Sequence, residues 1–361
     1  MSQERLNGID LCRGLAAFAV ILVHSGDETW GLPITDGAIH FRYLFFFAVP
    51  FFLAVSFYFG TRKLPVKLDR RFWSKKFQRI VLPYTLWSLF YVVTKTSIYD
   101  LSDRADNPWQ LFADPIALIF LGAAAYHLYF LPLLVVGFFL LYLANYLSQQ
   151  NNWFSVSLII CSLISYQLLT IYQNNFDLGN YTAFPELLRL VATDNIFYQP
   201  WRIALVYSAW LLRCLPYFTI ALALNRLLND SKNINRCLYR RSTSAVLIVV
   251  CIWANTFAQQ YLPRAFSEMI IAYSLLLFAI SVSKHIPKYK AIANLGACSF
   301  GIYLIHPLVK SVVEVFLVKL VPQITQSISI SSISVYSLTS FFASWLVVIL
   351  MQRNKLIARY I

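Results

Sequence analysis

The sequence is short of charge. Asp, Glu, Lys and Arg together make up 13% of its 361 residues, whereas a soluble domain of this size has about 25%. Hydrophobic residues make up 59% and recur in long runs, which excludes an ordinary soluble domain and places the chain among polytopic membrane proteins. Acids are scarcer than bases, 16 against 30, and the formal net charge is +14. Because the bases lie between the apolar runs, they indicate membrane orientation rather than a nucleic-acid footprint.

The six cysteines are scattered and form neither a CxxC pair nor a dense framework. Their spacing therefore argues against a zinc site and against a disulfide scaffold. The chain also lacks a Gly-rich phosphate loop, an internal repeat and a low-complexity tract. No A-x-A-like cleavage site follows the first apolar run, so we expect a retained helix there rather than a signal peptide. We predict one integral membrane domain over residues 1–361, with no appended soluble domain.

The apolar runs predict an all-α fold, a polytopic bundle of about ten transmembrane helices. The predicted spans are residues 8–26, 43–60, 79–97, 126–147, 154–173, 201–224, 243–262, 267–283, 297–320 and 333–352. Twenty of the 30 bases lie on the side that holds both termini, and most of the acids lie on the other side. The positive-inside rule then predicts that the N-terminus and the C-terminus are both cytoplasmic.

The first predicted span carries Asp10, Arg13 and His24 inside an apolar run. Charges at membrane depth are costly and usually face a bundle interior or a watery cavity. Eleven residues separate Arg13 from His24, which on a helix leaves an offset of about 20° and a rise of about 16.5 Å. The two side chains therefore share one face. Asp10 lies one turn before Arg13 and can pair with it, while His24 alone would also fit a histidine at the membrane interface.

Five segments of the chain share a recognisable order. They are Ile9-Asp10-x-x-Arg13-Gly14 followed by His24, Phe51-Phe52-Leu53-Ala54-Val55-Ser56, the basic stretch Phe72 to Pro83, His127-Leu128-Tyr129-Phe130-Leu131, and Gly301-Ile302-Tyr303-Leu304-Ile305-His306-Pro307. Taken together, these segments resemble the acyltransferase 3 family of integral membrane O-acyltransferases. Lys76 stands where that family often has arginine. The resemblance extends over essentially the whole chain.

The resemblance implies transfer of an acyl group, usually acetyl, from cytoplasmic acyl-coenzyme A to a hydroxyl. The acceptor is commonly a sugar in a surface or secreted glycan, or a lipid-linked sugar, at the cell membrane. Acyl-CoA, the acceptor and membrane lipid are the expected partners, with no nucleic acid and no metal. The alternative is a proton-coupled secondary transporter, since buried ionisable residues also fit one. The paired repeats and broken helices that many transporters show are not evident in the sequence.

Two residues of the first span are candidates for the chemistry. An imidazole can remove a hydroxyl proton near neutral pH, so His24 is the candidate base, although it can also carry the acyl group covalently. Arg13 either contacts the acyl donor and its thioester oxygen or forms a structural ion pair with Asp10. Arg13 and Asp10 therefore join His24 as candidate catalytic residues.

The basic stretch at the start of the third predicted span is the candidate donor site. Lys76 and Arg79 lie one turn apart and can grip the phosphates of coenzyme A, with Lys75 beside them. Much of this charge also fits the positive-inside rule alone.

The ninth predicted span carries His306, Lys310 and Glu314 at intervals of four residues. Each step drifts by about 40°, so the three form a polar stripe on an apolar helix. The stripe either lines the acceptor or catalytic cavity, or contains a self-satisfied Lys310–Glu314 pair. Arg213 in the sixth predicted span is an intramembrane cation with no local acid, and Glu314 is one distant partner for it.

Overall fold

A computed structural model describes residues 5–25, 34–101, 112–172, 176–192, 195–287, 289–321 and 327–361. Across these ranges the chain is helical, and its extended pairing is confined to two isolated bridges, Ile34 with Ile328 and Asp177 with Thr182. The predicted all-α fold is confirmed.

Sixteen α-helices lie in the described ranges. They are α1 Asn7–Val23, α2 Asp36–Tyr43, α3 Ala48–Thr61, α4 Arg70–Lys76, α5 Leu82–Leu101, α6 Phe130–Phe138, α7 Ala144–Ser148, α8 Asn152–Ile171, α9 Pro185–Val191, α10 Asn195–Asp230, α11 Lys232–Leu238, α12 Arg241–Trp253, α13 Gln259–Tyr261, α14 Arg264–Val282, α15 Lys290–Leu320 and α16 Ile330–Gln352. Short π-helical and 3-10 segments continue several of them, such as Phe77–Val81 between α4 and α5.

Eight helical stretches of the described chain are long and apolar enough to cross a membrane. They are Asp36–Thr61, Phe130–Ser148, Asn152–Ile171, Tyr198–Asp230, Arg241–Ala258, Arg264–Val282, Lys290–Leu320 and Ile330–Gln352. The first and third predicted spans are not among the eight. Helix α1 has 17 residues, or about 26 Å of helix, and the third predicted span begins inside the basic stretch. The helical membrane architecture is confirmed, while the count of ten and the position of the termini stay predictions.

The chain divides into two compact units. The first comprises Met1–Ser56, Leu227–Arg359 and Ile361, and the second comprises Phe57–Arg226 and Tyr360.

In the first unit, α1 packs against α14, α15 and α16. A glycine allows the closest approach, since a Cβ on Gly8 would lie 2.1 Å from the Ala279 carbonyl oxygen of α14. The Gly8 N–H donates to the Ser283 hydroxyl at 3.0 Å. Small residues let membrane helices approach in this way, and the backbone can then find polar partners on the neighbour. The N-terminal end of α1 is thereby fixed against α14.

The other end of α1 rests on an apolar cluster. Leu22 packs with Ala38 of α2 and with Ile328 and Ile333 at the start of α16. The Ser329 side chain caps α16 in a reciprocal capping box with Ser332, which satisfies two of the backbone donors that a helix start leaves open. These contacts hold the residue that follows α1 in a defined place.

In the second unit, side chains fix the loop that leads into the basic helix α4. The Asn145 amide accepts from the Val66 N–H at 2.6 Å and donates to the Val66 carbonyl at 2.9 Å. The Asp69 carboxylate then caps α4 by accepting from the Phe72 N–H at 2.7 Å. An acidic N-cap suits the positive end of the helix dipole, so α4 starts at a fixed position.

Candidate functional site

The structure brings together two histidines that the sequence singles out on different helices. The ring centroids of His24 and His306 lie 6.4 Å apart, with 30° between the ring planes. His306 is fully buried, and His24 is partly exposed at the end of α1. One titratable ring is therefore accessible and rests on a second ring that is shielded from solvent.

The main chain under His24 is held by two cations from neighbouring helices. The last four carbonyls of a helix lack helical partners and carry the negative end of its dipole. Here the Arg42 guanidinium of α2 donates to the Val23 carbonyl from Nε at 2.9 Å and from Nη2 at 2.6 Å. The Lys310 ammonium of α15 donates to the His24 carbonyl. Both cations thus act on backbone oxygens, and the position of His24 is set by its backbone.

A proline sets the hydrogen bonding of the second histidine. Pro307 lies inside α15 and has no N–H to donate to the Tyr303 carbonyl four residues back. Nδ1 of His306 lies 2.7 Å from that carbonyl oxygen. Because a carbonyl only accepts, Nδ1 is the donor, and in the neutral ring Nε2 carries the lone pair. The His306–Pro307 dipeptide therefore selects one tautomer of the buried ring beside His24.

The polar stripe on α15 continues from His306 to Lys310 and Glu314. Lys310 is buried, and its ammonium stands 6.0 Å from the centroid of the Tyr336 ring. The Tyr336 hydroxyl donates to the Lys310 carbonyl at 3.0 Å. Glu314, one turn further along α15, is partly exposed. The ammonium of Lys310 is thus directed at the end of α1, which places it in the site rather than only in the predicted pair with Glu314.

The partner of Asp10 differs from the prediction. Its carboxylate accepts from Nε of Arg5 at 2.5 Å, and the same guanidinium donates to the Ala293 carbonyl at 2.5 Å. Asp10 also packs on α15, where a Cβ on Gly296 would lie 2.4 Å from its Oδ1. Arg13 stays within electrostatic reach of Asp10, but its side chain has no hydrogen bond or ion pair within the described chain. Asp10 therefore forms its ion pair with Arg5 and acts on Arg13 only at longer range.

Arg13 and His24 remain on one continuous helix. α1 runs unbroken through Asn7–Val23, and the His24 N–H still donates to the Val20 carbonyl at 3.3 Å. The helical rise of about 16.5 Å between the two residues therefore stands. At that separation Arg13 does not share one reacting atom with His24, so a donor contact at Arg13 lies away from the group that His24 serves.

The candidate donor residues lie in the second unit. Lys75 and Arg79 are exposed, whereas the Lys76 ammonium lies 3.6 Å from the centroid of the Phe138 ring and 5.6 Å from that of Phe72. Burial, aided by the positive charge of Arg79, lowers the pKa of Lys76 to about 8. Such a cation is easily neutralised by a small rise in pH, and it would gain from an anion bound beside it.

Arg213 also lies in the second unit, partly buried on α10. Its predicted relation to Glu314 stays a prediction.

Sequence reasoning missed several residues of the site. Arg42 and Arg5 act on α1 from outside that helix, and Tyr336 reaches the site from α16. Helical periodicity within one span carries no signal for such contacts. Pro307 is different, because a proline four residues after a carbonyl in a membrane helix is visible in the sequence and indicates an acceptor that needs another donor.

A family model described as an acyltransferase domain matches residues 6–351, nearly the whole chain. The matched range contains both histidines, Arg13 and the basic stretch at α4. No curated protein and no solved structure gives a significant match.

Proposed function

Because the chain belongs to the acyltransferase 3 family and is a membrane acyltransferase, we propose that it moves an acetyl group from cytoplasmic acyl-CoA to a sugar hydroxyl of a surface or secreted glycan. The single observation that carries this proposal is the pairing of the accessible His24 ring with the buried His306 ring at the end of α1. General-base chemistry at neutral pH needs an imidazole in a fixed position, and both cations nearby serve to fix it.

The proposed reaction begins when His24 takes the proton of the acceptor hydroxyl. The hydroxyl oxygen attacks the thioester carbonyl carbon, and a tetrahedral intermediate forms. The carbon–sulfur bond then breaks, the acyl group stays on the sugar oxygen, and the coenzyme A thiolate recovers the proton from His24. Arg13 contacts the donor at a distance from the thioester, since about 16.5 Å of helix separates it from His24.

The test is acyl transfer by the purified protein in lipid nanodiscs. We expect labelled acetyl-CoA to release coenzyme A thiol and to place label on a cell-surface glycan fraction. Thiol release without label on glycan would point to another acceptor. No thiol release above that of a His24→Ala sample, with any fraction, would contradict the proposal.

The donor phosphates are proposed to bind Lys76 and Arg79. Replacing both with glutamate is expected to raise the KM for acetyl-CoA more than about a hundredfold, the loss of two charge-assisted contacts of about 1.5 kcal/mol each, with kcat nearly unchanged. The matched control is Lys63→Glu with Lys67→Glu, which changes the net charge equally at two exposed positions of the same segment. Equal donor KM values in the two double variants would mean that only overall charge matters.

The pKa of Lys76 adds a test by pH. With a pKa of about 8, the ammonium is charged below pH 8 and is lost as the pH rises through that value. The KM for acetyl-CoA should therefore rise above pH 8 in the wild type. Lys76→Arg, whose guanidinium stays charged, should remove this rise. A rise of the same size in Lys76→Arg would assign the titration to another group.

His306 is proposed as a positioning residue that supports the protonated form of His24 through its Nε2 lone pair. Asparagine can replace the Nδ1 donor to the Tyr303 carbonyl but not Nε2, whereas glutamine can offer an acceptor near Nε2. We expect His306→Asn to lower kcat about tenfold and to move the acidic limb of the kcat–pH profile, because the ring acceptor beside His24 is lost. His306→Gln should lose less. Equal losses with an unmoved pH profile would leave His306 a packing role only.

A further inference from the structure

Between Gln199 and Trp210, three buried polar atoms on one face of α10 have no hydrogen-bond partner among the described residues. They are Oε1 of Gln199, Nε of Arg202 and Nε1 of Trp210, and we name these residues the α10 row. At about 100° per residue the side chains fall within an arc of about 80°, over about 16.5 Å of helix. The row lies in the N-terminal part of the candidate span Tyr198–Asp230. Buried polar atoms are seldom left unpaired, so the row indicates a ligand.

The charge at the row is already balanced. The Arg202 guanidinium donates to Asp114 from Nη1 to Oδ2 at 2.7 Å and from Nη2 to Oδ1 at 2.6 Å. These bonds from Arg202 hold the pKa of Asp114 below its usual value, so the pair stays ionised. The Nε–H of Arg202 is left without a described hydrogen-bond partner, on a group whose charge Asp114 already neutralises. A neutral ligand that forms hydrogen bonds fits this place better than a phosphate or a carboxylate.

The surroundings of the row are aromatic. Trp210 is buried, with the Phe176 ring centroid at 5.2 Å and the Tyr207 ring stacked at 5.4 Å. The Tyr198 ring centroid lies 5.9 Å from Cζ of Arg202. Two donors and one acceptor among rings suit a sugar, whose hydroxyls both donate and accept and whose C–H faces pack on aromatic side chains.

The α10 row and a group of basic residues lie at opposite ends of α10. Bases collect at the C-terminal end of α10 and in the segment after it, from Arg226 to Arg241. About 36 Å of helix lies between Arg202 and Arg226, more than the hydrocarbon thickness of a membrane, about 30 Å. We propose that the α10 row binds the sugar of the acceptor glycan. This inference rests on the proposed function and adds the place where the acceptor is held.

The test measures ligand binding without transfer. Purified protein in nanodiscs is titrated with the methyl glycosides of glucose, galactose, rhamnose and N-acetylglucosamine, and separately with S-acetylpantetheine, by thermal shift. We expect at least one glycoside to raise the melting temperature of the wild type. Trp210→Phe keeps a flat ring but removes the N–H, so its apparent Kd for that glycoside should rise about tenfold. Gln199→Leu should act in the same direction.

The matched control is Trp201→Phe, the same substitution at a side chain that is 42% exposed. Nine residues before Trp210, it lies on the opposite face of α10, about 180° away, and its Kd should equal the wild-type value. Without ligand, Trp210→Phe is expected to melt lower than the wild type, because Trp210 is buried and the smaller ring leaves a cavity. Each ligand shift is therefore measured from the variant's own ligand-free melting temperature.

Three results would overturn the inference. The first is no melting-temperature shift with any glycoside, and the second is the same glycoside Kd in Trp210→Phe as in the wild type. The third is a shift with S-acetylpantetheine that Trp210→Phe removes, because that result would assign the row to the pantetheine arm of the donor. Glycoside binding by a wild-type protein that transfers nothing would reject the proposed function and leave the sugar site standing.

Discussion

Replacing His24 with alanine is expected to abolish acyl transfer in a protein that still folds and inserts. Loss of a positioned general base costs about 10²–10⁴-fold in rate, so thiol release from acetyl-CoA should fall close to the uncatalysed rate. The fold should survive because the contacts that fix this position use the main chain. Lys310 donates to the His24 carbonyl and the His24 N–H donates to Val20, and alanine keeps both groups.

The matched control is His40→Ala, which removes an exposed histidine from the neighbouring helix α2. We expect it to transfer at the wild-type rate. Size-exclusion profiles and melting temperatures of both variants should match those of the wild type. A rate for His24→Ala within a few-fold of wild type, with a normal melting temperature, would remove His24 from the mechanism.

The same pair of proteins separates the two roles of His24. If the imidazole carries the acyl group covalently, the wild type should retain label after rapid acid quenching in the absence of acceptor. If it acts only as a base, no label should remain on the protein, and transfer should require acceptor in the same step. His24→Ala supplies the background for both measurements.

The residues of the candidate site could be identified in the sequence, but the contacts between them could not. Ionisable residues inside apolar runs are rare enough to single out His24, His306 and Lys310. Spacing along one helix says which side chains share a face, yet it cannot say which two helices pack together. The contact between the His24 and His306 rings comes from the packing of α1 against α15, a tertiary contact between distant parts of the chain.

For Asp10, helical spacing predicts Arg13 as the ion-pair partner, whereas the structure shows Arg5. Helical spacing puts Asp10 one turn from Arg13, but Arg5 precedes α1 and reaches back to the same carboxylate. Residues before a helix start obey no helical period, so their reach depends on where the helix begins. Arg42 is a similar case, because the demand for donors at a helix C-terminus is predictable while the helix that supplies them is not.

The sequence predicts well that the chain has membrane-spanning helices, but it predicts their number less well. Long apolar runs such as α15 and α16 reveal themselves by length and composition alone. α1 is short and carries charged residues. It packs against α14, α15 and α16, so these residues face protein rather than lipid. A helix that is packed on several sides by protein needs neither the length nor the uniform apolarity of one that faces lipid.

The second large effect is expected at Arg13. With Asp10 bonded to Arg5, the Arg13 guanidinium has no hydrogen bond or ion pair within the described residues and only a longer-range attraction to Asp10, so its N–H groups can donate to a ligand. We infer that this ligand is the acyl donor. Arg13→Lys keeps the charge but loses the planar fork, so kcat/KM for acetyl-CoA should fall about thirtyfold, the loss of one charge-assisted bond of about 2 kcal/mol.

The effect should appear in the donor KM rather than in kcat, because about 16.5 Å of helix separates Arg13 from His24. Arg5→Lys is the matched control, since it makes the same substitution at the cation that holds Asp10, and its KM should stay within twofold of wild type. If Arg13 instead fixes α1 by its charge alone, Arg13→Lys should transfer normally, and a neutral Arg13→Gln should lower the melting temperature. A normal donor KM in Arg13→Lys together with that loss of stability would return Arg13 to a structural role, and the donor would have to be held by other residues.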